Sequence, residues 1–267
     1  LDTMPNFLYM NLIKINCSEL NNTIRKKIEG FIVSSTPYNE SSKILNILTR
    51  EHGIIGVMSK GCKNVKSKLK IVSENFTYAF FYMYYKEGKI STLIGADVIN
   101  YFPNIKSDIT KMSFMTYLSE LTKNVYKHGE DENIYNLFIS SLLKIEDGFN
   151  PLVISNILEL KYLDYLGVAL NLDGCVVCGN KSIVTLSYTK GGYVCRDCRT
   201  NEPIINEKVL KTLRLYYYVD ISKISKLDIS DEVTHEIDRF LNVYYDNYTG
   251  LYLKSKKFLE TLKNIEK

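Results

Sequence analysis

The densest chemistry in the sequence lies in two Cys-x-x-Cys pairs, Cys175/Cys178 and Cys195/Cys198, with sixteen residues between them. That separation falls in the range of a four-thiolate zinc site. Each pair can wrap one side of a tetrahedral ion at about 2.3 Å per Zn–S bond, provided an intervening hairpin brings the pairs together. Gly179, directly after the first pair, suits a knuckle, where a left-handed residue lets backbone amides point at sulfur. Four thiolates leave no open position for water or substrate, so one structural zinc per chain is expected rather than a catalytic one. Redox dithiols would open a helix in a βαβ context, which neither pair does, and four unligated core cysteines have no reason to share the doubled spacing. Cys17 and Cys62 stand alone and read as free thiols.

A second feature is cationic. Lys60, Lys63, Lys66, Lys68 and Lys70 fall within eleven residues that carry no acidic side chain. Alone, such a run is an ordinary solvated loop. It follows an expected strand, however, and so belongs on a loop at the rim of a small barrel, a fold that commonly binds single strands through its loops and one face. The aromatic run from Phe76 to Tyr85 follows. Alternation puts Phe76, Tyr78, Phe80, Tyr82 and Tyr84 on one face and Ala79, Phe81, Met83 and Tyr85 on the other. One face must be barrel core. The second either stacks bases or packs against the helical part, and packing is the expectation.

Enzymatic signatures are missing. The segment Gly56-Val57-Met58-Ser59-Lys60-Gly61-Cys62 does not fit a phosphate-binding loop. The histidines His52, His128 and His235 show neither zinc-protease spacing nor a neighbouring nucleophile motif. The chain is therefore not expected to be an enzyme.

The elements that must position these groups change character along the chain. Short apolar runs at 28–33, 42–48, 54–59, 76–85 and 90–99, separated by turn residues, predict five strands of a small barrel. After Pro103 the period becomes helical. Ser107 is the expected N-cap of a helix carrying Met112, Met115, Leu118, Leu121 and Val125, with Gly129 as its stop. A second helix is expected over 132–146, and a third between the cap Asn150 with Pro151 and the terminating Gly167. Val233, Ile237, Phe240, Tyr244 and Tyr248 repeat at helical spacing, and 254–264 predicts a final helix. Between these, 172–202 forms an insert with a strand at 183–188 and a Gly191-Gly192 turn.

The 267 residues, 45% hydrophobic and 24% charged, suggest two domains or one domain with an insert, and exclude collagen-like and disordered classes. No run of eighteen apolar residues occurs, and the stretch 4–15 is broken by Pro5, Asn6, Asn11 and Lys14, unlike a signal peptide. A cytoplasmic protein without membrane contact is expected. Positive charge is concentrated: residues 26–105 hold eleven Lys/Arg against six Asp/Glu, and 106–267 hold twenty-one against twenty-two. An anionic partner is expected on the N-terminal third.

Several ordered motifs give a resemblance. Ile28-Glu29-Gly30-Phe31-Ile32-Val33, Tyr38-Asn39-Glu40-Ser41-Ser42-Lys43-Ile44-Leu45, Thr49-Arg50-Glu51-His52-Gly53-Ile54-Ile55 and Lys60-Gly61 are similar to the N-terminal domain of the bacterial recombination mediator family RecO. Leu163-Asp164-Tyr165-Leu166-Gly167, the two cysteine pairs with Gly191-Gly192, and Leu253-Lys254-Ser255-Lys256-Lys257-Phe258-Leu259 resemble its C-terminal part. The resemblance implies an α+β chain: an N-terminal OB-fold barrel at 26–104, then a helical domain at 105–267 carrying the zinc insert at 172–202. Residues 1–25 lie outside the pattern as an extension. It also implies binding of single- and double-stranded DNA, annealing of complementary strands, contact with single-stranded DNA-binding protein (SSB), and, with RecR, loading of RecA at the nucleoid. The DNA surface is expected at Lys60, Lys63, Lys66, Lys68 and Lys70 with Arg50. Lys254, Lys256 and Lys257 beside Phe258 are a candidate for the SSB contact. The main alternative is a generic OB-fold single-strand binder with a structural zinc.

Overall fold

The computed structural model describes residues 24–127 and 131–265. Residues 1–23 of the expected extension 1–25, Cys17, His128 and the expected stop at Gly129 lie outside the described residues, and residues 24–25 belong instead to the first strand. The described chain divides into two compact units: one takes 24–47 together with 55–99, the other 48–54 together with the described residues from 100 onward.

The first unit is built on strands β1 (Ile24–Tyr38), β2 (Ser42–Thr49), β3 (Gly53–Ser59), β4 (Tyr78–Tyr85) and β5 (Ser91–Asn100), closed into a barrel in the order β1-β2-β3-β5-β4. The closing pair β1/β4 is antiparallel, with Arg25 opposite Tyr84 and Ile28 opposite Phe81, whereas β3 and β5 run parallel. This order, with the short helix α1 (Leu69–Val72) between β3 and β4, is the OB-fold arrangement. Period-two alternation sends Ile28, Ile32, Leu45, Ile47, Val57, Ala79, Phe81, Met83 and Leu93 inward as a buried core, and Leu69 and Val72 of α1 pack against it. The expected strands are present within a few residues of their bounds. β1 is longer, starting at Ile24, which brings Arg25 into the barrel.

The second unit is helical: α2 (Pro103–Lys106), α3 (Ile109–Val125), α4 (Glu132–Glu146), α5 (Pro151–Tyr165), α6 (Glu207–Tyr218), α7 (Asp231–Tyr248) and α8 (Lys254–Ile265), with a hairpin of β6 (Ile183–Ser187) and β7 (Gly192–Cys195). α5 is apolar almost all round and buried along most of its length, as a central helix must be. Its ends follow expectation: Asn150 Oδ1 accepts from the Leu152 and Val153 amides, Pro151 opens the helix, and Gly167 takes φ of +73°. The cap of α3 is Asp108, not Ser107. The Asp108 carboxylate accepts from Thr110 and Lys111, while Ser107 ends the separate turn α2. Helix α6 was not expected from the sequence. No helix among the described residues is long and apolar enough to cross a membrane.

Candidate metal centre and nucleic-acid interface

Local backbone geometry brings the four cysteines together. In the first knuckle, Gly179 sits at φ of +75° and its amide donates to the Cys175 carbonyl at 2.8 Å. The β6/β7 hairpin returns the chain so that Cys195, at the end of β7, faces that knuckle. Gly192 cannot be replaced there without movement, because a Cβ would lie 2.3 Å from the Asn171 carbonyl oxygen, and φ is +157°. The Tyr193 amide donates to that same carbonyl at 3.0 Å, so the close approach is part of the hydrogen bonding.

All four Sγ atoms lie within 4.8 Å of one another, and those of Cys178 and Cys195 are 3.6 Å apart. Sulfurs about 2.3 Å from one tetrahedral zinc stand about 3.8 Å apart, so the donor set fits such an ion. Burial works against the Cys175 thiolate, but the amides of Cys195, Cys178 and Val177 more than offset it and bring the thiol down to about 6. Cys198 is pushed up to about 12 by the neighbouring Cys178 and Cys195 sulfurs. Charge on one sulfur thus opposes charge on the next, a conflict that a bound cation removes.

A clip beside the second knuckle was not read from the sequence. Lys190 Nζ donates to the Cys198 carbonyl at 3.1 Å and to Glu202 Oε1 at 3.0 Å, and the Thr200 amide donates to Glu202 Oε2 at 2.8 Å. The backbone amides of Glu202 and Thr200, with the Lys190 ammonium, hold this carboxyl well below the usual carboxylate range. Lys190 and Glu202 are twelve residues apart. The return of the chain after β7 makes them neighbours.

The lysine run occupies the start of the excursion between β3 and β4. Its base is fixed from three sides: Ser59 and Ser73 share a buried hydroxyl contact at 2.7 Å, the Gly61 amide donates to Ser42 Oγ at 3.2 Å, and the Lys63 amide donates to the Ser41 carbonyl at 2.9 Å. Cys62 is buried as the free thiol expected. From this anchored base Lys60, Lys66, Lys68 and Lys70 are exposed, whereas Lys63 is half-buried and its ammonium donates to the Asn39 carbonyl at 3.1 Å. Arg50 is placed differently. It sits before β3 while Lys60 follows it, so a whole strand separates them, and within its own unit Arg50 lies 3.9 Å from Glu132 and 5.6 Å from the Tyr135 ring.

On β4 the Ala79, Phe81 and Met83 face is the core, while Phe80 and Tyr82 are half-buried on the other face and Tyr84 is 48% exposed. Lys27 Nζ lies 4.3 Å from the Phe80 ring centre and 5.6 Å from that of Tyr82. Arg25 and Lys27 lie outside the set of cations expected at the DNA surface. Their signal was the cluster Arg25-Lys26-Lys27 at the start of an alternating strand.

The C-terminal lysines separate. Lys256 turns inward, 3.9 Å from the buried Glu159 and over the Tyr117 and Tyr245 rings, and only Lys254 and Lys257 remain exposed with Phe258. Glu159 also accepts from Tyr117 Oη at 2.8 Å.

Comparison with known proteins covers both units. The family model described as Recombination protein O N terminal matches residues 24–102, and that described as Recombination protein O C terminal matches 106–257. The DNA repair protein RecO of Bacillus pumilus is 33% identical over 246 residues, 90% of this chain and 96% of its own length. That of Halalkalibacterium halodurans is 32% identical over 247 residues, 90% and 96% of the two chains, and that of Listeria monocytogenes 33% over 242, 89% and 94%. With both parts of the chain matched in order, the protein belongs to the RecO family of DNA repair proteins.

Proposed function

We propose that the chain is a recombination mediator without bond-making chemistry. It binds single- and double-stranded DNA, anneals complementary strands, engages SSB and, with RecR, helps to load RecA onto SSB-coated single strands in the cytoplasm at the nucleoid. The observation that carries this reading is the set of lysines presented by the clamped loop after β3, in a segment without a carboxylate. Such a surface neutralises phosphates without reading bases, which is what pairing of arbitrary sequences requires. Lys60, Lys63, Lys66, Lys68 and Lys70 are its proposed members, the barrel at 26–104 its scaffold, and Arg50 a separate contact on the turn before β3.

Cys175, Cys178, Cys195 and Cys198 would hold one zinc. When bound, that ion fixes the two knuckles to each other and offers no open position for a reacting molecule. Lys190 and Glu202 orient the second knuckle from outside the sulfurs. The insert at 172–202 is thus a folded module of the helical domain, 105–267.

The test is annealing of complementary oligonucleotides, naked and pre-coated with SSB, across a salt series. Acceleration on coated strands that declines with salt supports the mediator reading. Acceleration on naked strands alone leaves a DNA-binding protein without the SSB partnership, and no acceleration on either overturns the proposal.

A further inference from the structure

The register of β1 against β4 builds a second cationic feature, of different character from the lysine loop. Arg25 stands opposite Tyr84, Lys27 opposite Tyr82 and Glu29 opposite Phe80, so these six side chains share the outer face of one antiparallel pair. Arg25, Lys27 and Tyr84 are exposed. The face is not uniformly basic: Tyr82 Oη donates to Asp97 at 2.5 Å and Tyr78 Oη to Glu29 at 2.5 Å. These carboxylates are spent on phenols at the sides of the aromatic row. Arg25 lies at its Tyr84 end, whereas the Lys27 ammonium sits over Phe80 and reaches toward Tyr82.

We propose that this face is a stacking platform for the unpaired bases of single-stranded nucleic acid, with Tyr84 as the leading ring and Arg25 and Lys27 as partners for the flanking phosphates. Residues two apart on a strand stand about 6.8 Å apart, twice the roughly 3.4 Å step of a duplex strand. Tyr82 and Tyr84 therefore match a strand whose bases have been drawn apart, not a stacked duplex, with Lys27 seated over Phe80 at the next step. Ring faces accept any base, so the platform adds a preference for single strands without a sequence preference. The lysine loop meets phosphates of either form. This inference rests on the DNA-binding reading and adds a division of labour within the barrel.

The chain contains no tryptophan, so Tyr84→Trp introduces a single indole at the centre of the claim. Its fluorescence is followed during titration with oligo(dT), with an abasic strand of equal length, and with a duplex, while anisotropy of a labelled oligonucleotide reports binding independently. Quenching by oligo(dT) and not by the abasic strand is expected. In parallel, Tyr84→Ala should weaken oligo(dT) binding by about 5-fold to 150-fold, the range of one base–aromatic stack, and change duplex binding by less than about 2-fold. Binding by anisotropy with unchanged indole emission, or equal losses on single strands and duplex, overturns the platform and leaves the lysine loop standing. Wild-type protein that changes the anisotropy of no oligonucleotide overturns the DNA-binding reading and the platform together.

Discussion

Among the described residues, the buried polar side chains of the barrel strands and their connections are all hydroxyls: Ser42, Thr49, Ser59, Ser73, Thr77 and Ser91. The helical unit instead buries Glu146, Glu159 and Asn156, and draws Lys256 inward to meet Glu159. Glu146 receives the Asn104 and Ile105 amides at 3.0 and 2.9 Å, and Glu120 receives the Lys254 and Ser255 amides at 3.2 and 2.8 Å. The barrel closes on apolar contacts and keeps its ions at the surface, some of them engaged there, as Lys43 is by Glu74 and Lys27 by the Phe80 ring. In the helical unit carboxylates act as joints between segments distant in sequence. The difference teaches how to read charge in this chain: the cation excess of the barrel lies at its surface, whereas near balance in the helical unit includes ions used inside it, such as Glu146, Glu159 and Lys256.

The largest test of the contrast is at the sulfurs. Cys195→Ser would remove a proposed ligand of a zinc whose binding would contribute folding free energy directly, with structural zinc sites reaching about 10–16 kcal/mol in isolated modules. Bound zinc should fall from about one equivalent to a small fraction, with the helical unit melting earlier; full occupancy in the variant would remove Cys195 from the donor set. Next is the internal ion. Lys256→Met leaves Glu159 buried without its cation and should cost about 3–5 kcal/mol in urea unfolding, whereas the double variant Lys256→Met with Glu159→Gln should recover most of it. Equal losses in both would show that the pair is packing alone. On the barrel, replacing Lys63, Lys66 and Lys68 by Glu should weaken DNA binding by about 100-fold or more with little change in stability, and replacing them by Ala should flatten the log-affinity against log-salt slope by about 0.7 per lost contact on single strands. An unchanged slope would free the loop of any role. The smallest effect is expected at Asn150→Ala, about 1 kcal/mol for one helix cap. A loss above about 3 kcal/mol would mean that this residue does more than cap.

What could be read from the sequence was local. The barrel strands follow from alternation, α5 from Asn150-Pro151 at one end and Gly167 at the other, and the clustering of the cysteines from spacing alone. Failures came where the deciding partner is distant or the local signal is shared. Ser107 and Asp108 are adjacent residues of the same capping type, and only the extra turn α2 assigns the cap to Asp108. Helix α6 ends in Leu215-Tyr216-Tyr217-Tyr218, a composition that suits a strand, although Val209, Leu210, Leu213 and Tyr216 form its buried stripe. Lys256 lies among exposed lysines on an amphipathic helix, and nothing nearby in sequence announces Glu159 as its partner. The lysine loop was found as a pattern. Its clamped base at Ser59 and Ser73 was visible only once the fold joined residues on either side of the excursion.

The joint at the start of α8 bears on how the protein is made. Glu120 is synthesised about 134 residues before the amides it caps, and Glu159 also precedes its cation by a long stretch of chain. Until 254–256 is made, Glu120 lacks the Lys254 and Ser255 amides and Glu159, already held by Tyr117, lacks Lys256, whereas every strand of the barrel has emerged and can pair. The helical unit therefore becomes complete only when 253–259 arrives, seating Leu253 and Leu259 and delivering Lys256 in one step. A ribosome that stalls shortly before that point would release a chain with a finished barrel and an unlatched partner unit, a substrate that quality-control proteases can recognise.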